Sequence, residues 1–181
     1  MCIKILPHQL KEQINQVKND WFYSSIKSLK GNILEIGIGN GDNYKYFNFD
    51  QSKIYAIEKS EKHLQSAIKN TLGYDIIVKK GLAEKIPFDD NFFDGIVISF
   101  VLCSVDSIKD TLKEILRVLK KEGKVILLEH IKSNNKLTLA IQKIITGIQS
   151  LFIDKSSFKI VSEKVFINNL EPYLFMELMK L

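Results

Sequence analysis

Short apolar runs alternate with amphipathic stretches along most of this chain. Runs rich in β-branched residues predict five strands, at residues 32–37, 52–58, 74–79, 93–99 and 124–130. Apolar positions recur at helical spacing in residues 8–30, 60–70 and 107–120. This alternation is typical of an α/β protein in which helices cover both faces of a parallel sheet.

Capping residues set the predicted ends of the helices. Ser60 is placed as the N-cap of the second helix, and Asp106 or Ser107 as the N-cap of the third. Gly123 is placed as the residue that stops the third helix before the fifth strand.

The C-terminal part of the chain follows a different pattern. Residues 137–153 carry an apolar face at helical spacing and predict an amphipathic helix. Residues 158–167 and 173–179 then predict two strands. The short connection between them contains Pro172, and it predicts that the two strands form a hairpin.

Length and composition place the chain among ordinary single-domain proteins. It has 181 residues, of which 45% are hydrophobic and 26% charged, and this argues against wholesale disorder. No apolar run reaches the roughly 18 residues that a transmembrane helix needs. Cys2 and Cys103 are too few for a disulfide framework, so we expect a cytoplasmic protein.

The net charge of +5 comes almost entirely from lysine, and Arg117 is the only arginine. Arginine is the side chain that contacts phosphates and guanine in bidentate geometry, so no nucleic-acid partner is expected. The few histidines and cysteines lie at scattered positions, and the spacing predicts no metal site.

A glycine-rich loop follows the first predicted strand, with Gly37, Gly39 and Gly41 at alternate positions. Glycines here let the backbone turn sharply and let a flat ligand approach closely. Asp42 and Asn43 follow and can start a helix. The dinucleotide fingerprint spaces its third glycine differently, and the Asp42 carboxylate would repel a pyrophosphate at this point. A ligand with an ammonium and a sulfonium suits the loop better, which indicates S-adenosylmethionine.

An acidic residue, Glu58, closes the second predicted strand, 21 residues after Gly37. Its carboxylate can accept hydrogen bonds from both hydroxyls of a ribose. Sites for nicotinamide dinucleotides use the same device, so Glu58 by itself does not decide between the two ligands.

Four segments together resemble the class I S-adenosylmethionine-dependent methyltransferases, over roughly residues 22–130. LEIGIGNG resembles the family's glycine motif and IYAIEKS its ribose-binding strand. GLAEKIPFDDNFFDGIVIS and LKEILRVLKKEGKVILLEH resemble the adenine-side loop with the fourth strand, and the helix with the fifth strand, of a group that includes the quinone-biosynthesis methyltransferases. FVLCSV, with the Glu129-His130 ending, looks most like the small thiol S-methyltransferases, followed by the phospholipid N-methyltransferases.

This resemblance implies a fold and a set of cofactor-binding residues. The fold is a Rossmann-like, doubly wound, seven-stranded sheet, mostly parallel with an antiparallel last strand. Many relatives carry Asp where this chain has Leu82. Glu84 is therefore expected to replace that Asp in the side-chain contact with the adenine amino group. The resemblance implies that Glu35, Gly37 and Gly39 surround the methionine part of the cofactor, and that Gly41 shapes the turn. It implies that Glu58 and Lys59 flank the ribose and adenine, and that Ala83 and Glu84 lie at the edge of the adenine. Ser99 and Phe100 are implied to close over the cofactor.

The methyl acceptor is expected where the fourth and fifth strands end, because ligands of open α/β sheets bind at the carboxyl ends of the strands. His130 is the candidate catalytic residue, as a base or as a group that orients the acceptor. A structural histidine bonded to a backbone carbonyl is the alternative. Glu129 is its neighbour, but adjacent strand residues face opposite sides, so direct pairing is not expected.

We therefore expect one methyltransferase domain over residues 1–181, with an N-terminal helix or lid at 1–30, a cofactor-binding core at 31–130, and a substrate-side helix with the hairpin at 131–181. The expected partner is a small, apolar methyl acceptor. Residues 137–153 either cover that acceptor or touch a membrane surface weakly, or they simply pack on the sheet. The oligomeric state is left open. Two alternative functions remain, a non-catalytic S-adenosylmethionine-binding partner subunit and a dinucleotide-dependent oxidoreductase.

Overall fold

Seven strands form one sheet in the part of the chain that the computed structural model describes, namely residues 18–130, 157–166 and 173–181. The strands are β1 (Gly31–Ile36), β2 (Ser52–Glu58), β3 (Ile76–Lys80), β4 (Phe93–Ser99), β5 (Leu119–His130), β6 (Phe158–Phe166) and β7 (Tyr173–Lys180). The α-helices of these residues are α1 (Ser24–Ser28), α2 (Glu61–Asn70) and α3 (Ile108–Val118). A π-helical stretch, Lys18–Tyr23, precedes α1, and a short 3-10 turn, Tyr44–Tyr46, follows β1.

The strands lie in the order β3-β2-β1-β4-β5-β7-β6. Strands β1 to β5 pair in parallel with one another, whereas β7 is antiparallel to both β5 and β6. The predicted Rossmann-like sheet, mostly parallel with an antiparallel last strand, is therefore confirmed, and so is the terminal hairpin.

Apolar side chains cover both faces of the central strands, because each strand places successive residues on opposite faces. On one face Ile33 and Val97 pack with Phe22 and Ile26 of the N-terminal segment. On the other face a larger buried cluster contains strand residues and the inner side of α3, including Leu34, Ile36, Ile98, Leu112 and Ile115. The continuous apolar runs of β1 and β4 follow from this burial on both faces.

Both predicted N-caps are present. The Ser60 hydroxyl accepts a hydrogen bond from the His63 amide at 3.4 Å and begins α2. Ser107, and not Asp106, caps α3, and its hydroxyl accepts from the Asp110 amide at 3.2 Å. These caps can be predicted from the sequence because donor and acceptor lie only three residues apart.

The predicted role of Gly123 as a helix stop is wrong. Helix α3 ends at Val118 and β5 begins at the next residue, Leu119, so Gly123 lies inside β5. Leu119 pairs with Phe93, and the register then shifts before Lys124 pairs with Gly95. A Cβ at Gly123 would lie 2.7 Å from Leu119 Cδ1, so glycine is needed for close packing within this irregular stretch.

The helix that Asp42 and Asn43 could begin does not form, since residues 42–51 contain only the 3-10 turn. The Asn43 amide group does not cap the turn; it donates to Glu35 Oε1 at 2.7 Å instead. A long-range hydrogen bond thus replaces the local one that the sequence suggested.

Two predicted helical stretches fall partly or wholly outside the described residues. Of the leading helix predicted over 8–30, residues 18–28 are helical and residues 8–17 lie outside. The helix predicted over 137–153 also lies outside, and with it the hypothesis of membrane contact. No helix among the described residues has the length and hydrophobicity required to cross a bilayer.

Candidate functional site

The candidate site lies at the carboxyl ends of β1 and β4, which are neighbours in the middle of the sheet. From β1 the chain continues to β2 on one side, and from β4 it continues to β5 on the other side. Open α/β sheets bind ligands in the crevice that forms where the strand order diverges in this way. The strand order places this crevice between the glycine loop, residues 37–41, and the loop after β4, residues 100–107, which we call the β4 loop.

All three glycines of the glycine loop have positive φ angles, of 71°, 59° and 85° for Gly37, Gly39 and Gly41. The amides of Gly37 and Ile38 donate to the carbonyl of Ile57 at 2.9 and 3.2 Å, which fixes the loop to β2. A Cβ at Gly37 would lie 2.5 Å from Val101 Cγ2, whereas a Cβ at Gly39 would meet nothing closer than 4.0 Å. Gly37 is therefore required for packing, and Gly39 borders open space in which a ligand can approach the backbone.

Glu35 lies beneath the glycine loop with its side chain fully buried. Its Oε1 accepts from Asn43 Nδ2 at 2.7 Å, and its Oε2 has no hydrogen-bond partner among the described residues. Burial raises the pKa of Glu35 to about 7, although the Asn43 hydrogen bond opposes this shift. A buried carboxylate oxygen without a partner favours a cationic ligand group.

Asn43 is a site residue that sequence analysis missed, because it was interpreted only as a helix start. The available signal was an amide side chain eight residues after a carboxylate that was already expected at the site.

Glu58 links the glycine loop to the start of α2. Its Oε2 accepts from the Gly39 amide at 3.0 Å and its Oε1 from the Ser60 amide at 2.8 Å. A carboxylate has about four acceptor positions, so these two bonds orient Glu58 and leave acceptor capacity for a ligand.

Lys59 and Glu84 both contact the β4 loop. The Lys59 ammonium donates to the Ser104 carbonyl, and Glu84 Oε1 accepts from the amides of Asp106 and Ser107 at 2.7 and 3.4 Å. Ala83 is buried, and the neighbouring Leu82 is half exposed. The adenine contacts implied for Lys59, Ala83 and Glu84 remain predictions, and the structure shows Lys59 and Glu84 hydrogen-bonded to the β4 loop.

Ser99 and Phe100 lie at the end of β4, as expected. Phe100 has a φ of 59°, which is unusual for a residue other than glycine, and its amide donates to the Leu128 carbonyl at 2.9 Å. His130 is the last residue of β5, but its side chain lies outside the described part, so its catalytic role stays a prediction. Cys103, in the β4 loop, is exposed.

The buried carboxylate of Glu129 is the second feature that sequence analysis missed. Its Oε1 accepts from the amides of Val101 and Leu102 at 2.7 and 2.8 Å. Because successive side chains of β5 face opposite sides of the sheet, the sequence argued against pairing of Glu129 with His130. It gave no indication of which loop Glu129 would contact.

Within residues 18–130, 157–166 and 173–181, no three His, Cys, Asp or Glu side chains lie close enough together to hold a metal ion. The candidate site is thus built from carboxylates, backbone amides and the glycine loop.

The strand order, the glycine loop after β1 and the carboxylate at the end of β2 define a Rossmann-like fold of the kind found in methyltransferases. The profile of the family described as "Methyltransferase domain" matches residues 34–127, just over half of the 181 residues. The chain belongs to this methyltransferase domain family.

Comparison with known proteins gives relatives of the same kind. The ubiquinone/menaquinone biosynthesis C-methyltransferase UbiE of Rickettsia prowazekii is 27% identical over 175 residues, which cover 90% of this chain and 66% of the relative. The matched segments span between 22% and 66% of the lengths of such curated UbiE relatives.

Solved structures share the fold at low sequence identity. The YcgJ protein of Bacillus subtilis superposes with a TM-score of 0.73 at 12% identity, covering 91% of this chain and 98% of that one. A SAM-dependent methyltransferase from Methanosarcina mazei gives a TM-score of 0.69 at 18% identity, covering 89% and 97%.

Proposed function

We propose that this chain is an S-adenosylmethionine-dependent methyltransferase that acts on a small, apolar acceptor. The proposal is carried by two observations at the point where the strand order diverges: the buried, half-partnered carboxylate of Glu35 and the open approach to Gly39. Membership of the methyltransferase domain family supports the same conclusion.

The residues present fit this cofactor. Glu35 Oε2 lacks a partner among the described residues and would pair with the ammonium of the methionine part. Gly39, without a Cβ, would let the ligand approach the loop. Glu58 has acceptor capacity left for the ribose hydroxyls, and each such charged hydrogen bond contributes about 1.5–3 kcal/mol.

A nicotinamide dinucleotide fits the same loop poorly. Its pyrophosphate would need the N-terminus of a helix after the glycines, but residues 42–51 contain only the 3-10 turn. Asp42 is exposed beside the loop and would repel the phosphates. The dinucleotide-dependent oxidoreductase is therefore not favoured.

The chain's contribution to methyl transfer is mainly positioning. When bound, S-adenosylmethionine supplies a methyl group on a positively charged sulfur, which is a good leaving group. The carboxylates of Glu35 and Glu58 would fix the cofactor, and the β4 loop would hold the acceptor in line with the methyl carbon, at about 3–3.5 Å. His130 would remove a proton, or orient the acceptor, where the acceptor arrives protonated.

The names of the relatives add one class of methyl acceptor to those expected from the sequence. The relatives are named C-methyltransferases of ubiquinone and menaquinone biosynthesis, so a carbon atom of a quinone-biosynthesis intermediate is added to the thiols, hydroxyls, amines and lipid headgroups expected from the sequence. Methylation assays on a panel of these classes would separate an active enzyme from a non-catalytic partner subunit.

Thermal unfolding with S-adenosylhomocysteine, and separately with NADH, tests the cofactor. Saturation at about 100 times the Kd adds roughly 2.7 kcal/mol, so S-adenosylhomocysteine should raise the Tm by about 5–10 °C. Glu58→Gln should weaken S-adenosylhomocysteine binding about 10-fold or more, because a charged acceptor is lost. Glu61→Gln, which alters an exposed carboxylate three residues further on, is the matched control and should bind normally. A rise with NADH alone would overturn the proposal.

A further inference from the structure

The β4 loop is held by side chains from three other parts of the fold. Glu129 of β5 accepts from the amides of Val101 and Leu102, Glu84 accepts from those of Asp106 and Ser107, and Lys59 donates to the Ser104 carbonyl. Of these three anchors, Glu129 lies closest along the loop to the crevice, because its contacts begin two residues after the end of β4.

We propose that Glu129 is a positioning residue that sets the distance between the glycine loop and the β4 loop, and so the width of the crevice between them. It does so by holding the backbone of Val101, whose side chain then rests against Gly37. This inference rests on the proposed function, since the crevice is the proposed cofactor site.

The carboxylate of Glu129 anchors the start of the β4 loop. Glu129 is completely buried, and one of its oxygens receives two amide hydrogen bonds, at 2.7 and 2.8 Å. The other oxygen has no partner among the described residues. A buried carboxylate without a cation costs several kcal/mol in desolvation, so this side chain is a poor choice for stability alone.

The backbone beside this anchor is strained at Phe100. Phe100 adopts a left-handed conformation, with a φ of 59°, between Ser99 and Val101. This conformation costs a non-glycine residue roughly 1–2 kcal/mol, and it persists only where the surroundings enforce it. The bonds from Glu129 to the next two amides enforce the turn that sends the chain away from β4.

The side chain of Val101 connects the anchored backbone to the glycine loop. A Cβ on Gly37 would lie 2.5 Å from Val101 Cγ2, so the Val101 side chain lies directly over the Gly37 backbone. Glu129, the Val101 backbone, the Val101 side chain and Gly37 therefore form a continuous contact path across the crevice. Valine suits this path because branching at Cβ limits its rotamers.

Two variants of Glu129 separate charge from hydrogen bonding. Glu129→Gln keeps an acceptor oxygen for the two amides, and its S-adenosylhomocysteine affinity should stay within about 3-fold of wild type. Glu129→Leu leaves both amides unpaired. It should weaken S-adenosylhomocysteine binding about 10-fold and increase hydrogen exchange at Val101 and Leu102.

Val101→Ala is a second, independent variant in case Glu129→Leu does not fold. It retains the two amide bonds but removes the contact with Gly37, so it should weaken S-adenosylhomocysteine binding several-fold while the exchange of its own amide and that of Leu102 stays slow. Asp94→Asn is the control, because Asp94 lies at the amino end of β4, away from the candidate site. Asp94 Oδ2 accepts from the Asn32 amide at 2.8 Å, and its replacement should lower the Tm without altering ligand affinity.

The outcomes distinguish this inference from the proposed function. If wild type binds S-adenosylhomocysteine and both Glu129→Leu and Val101→Ala bind it equally well, the positioning role of Glu129 is wrong. If wild type does not bind S-adenosylhomocysteine at all, the proposed function itself fails, and the crevice role fails with it. Loss of affinity in Asp94→Asn equal to that in Glu129→Leu would reduce Glu129 to a general stabilising residue and overturn the inference.

Discussion

Gly39→Ala should weaken S-adenosylhomocysteine binding about 10- to 100-fold while it lowers the free energy of unfolding by only about 1–2 kcal/mol. The φ of Gly39 is 59°, so alanine there is mildly strained, but its Cβ would meet no protein atom closer than 4.0 Å. The new methyl group would instead occupy the space that the ligand uses. Calorimetric titration and urea denaturation of the same variant measure the two effects.

Gly37→Ala is the matched comparison for this prediction. Its Cβ would lie 2.5 Å from Val101 Cγ2 at a φ of 71°, so strain and overpacking together should lower stability by about 2–5 kcal/mol. The two alanine variants should thus separate a packing glycine from a ligand-facing one. Wild-type affinity in Gly39→Ala would show that no ligand approaches the loop there.

The stability of the protein should fall as the pH rises from about 4.5 to 7, and Glu35→Gln should remove a large part of this fall. Burial raises the pKa of Glu35 from 4.5 to about 7 in the folded state. Between these values the folded chain retains a proton that the unfolded chain has lost, so stability decreases with increasing pH. The difference corresponds to roughly 3 kcal/mol, which is reached above pH 7.

Denaturation of wild type and Glu35→Gln at pH 5, 6, 7 and 8 checks this result. The variant should be close to wild type at pH 5 and more stable at pH 8, with a Tm difference of about 6–12 °C. Glu129 has a pKa raised in the same direction, but it is present in both proteins, and its contribution cancels in the comparison. Glu61→Gln should retain the wild-type pH dependence, and parallel curves for Glu35→Gln and wild type would contradict the assignment.

The same carboxylate links stability to ligand binding. A cationic ligand group favours the ionised form of Glu35, so S-adenosylhomocysteine should bind more tightly to wild type as the pH rises towards 8. The side chain that destabilises the free protein at neutral pH is thus the one that the proposed cofactor would stabilise.

Much of the fold was predictable because it depends on local pattern. The bounds of β2 and β4 agree with the predicted strands, since apolar, β-branched runs end there at polar residues. The caps at Ser60 and Ser107 are also local. The helix end near Gly123 was mispredicted because pairing of Leu119 with Phe93 begins β5 earlier than the helical pattern suggests.

The site was predictable only in part, for the same reason. The glycine loop and Glu58 carry a spacing that can be recognised in one dimension. The bonds from Asn43 to Glu35 and from Glu129 to the β4 loop join residues that are distant in sequence or in different elements. Only the folded sheet brings these partners together, and no periodic pattern in the sequence predicts the contacts between them.

The position of β7 has a consequence for synthesis on the ribosome. β7 lies between β5 and β6, although it follows both in the sequence. As the chain emerges, β5 has an open edge, and β6 lacks the strand it pairs with, until β7 has been translated. Until then the nascent protein carries an unpaired strand edge at β5, and such edges are the surfaces on which chains associate. Pairing of β7 with both β5 and β6 closes this edge.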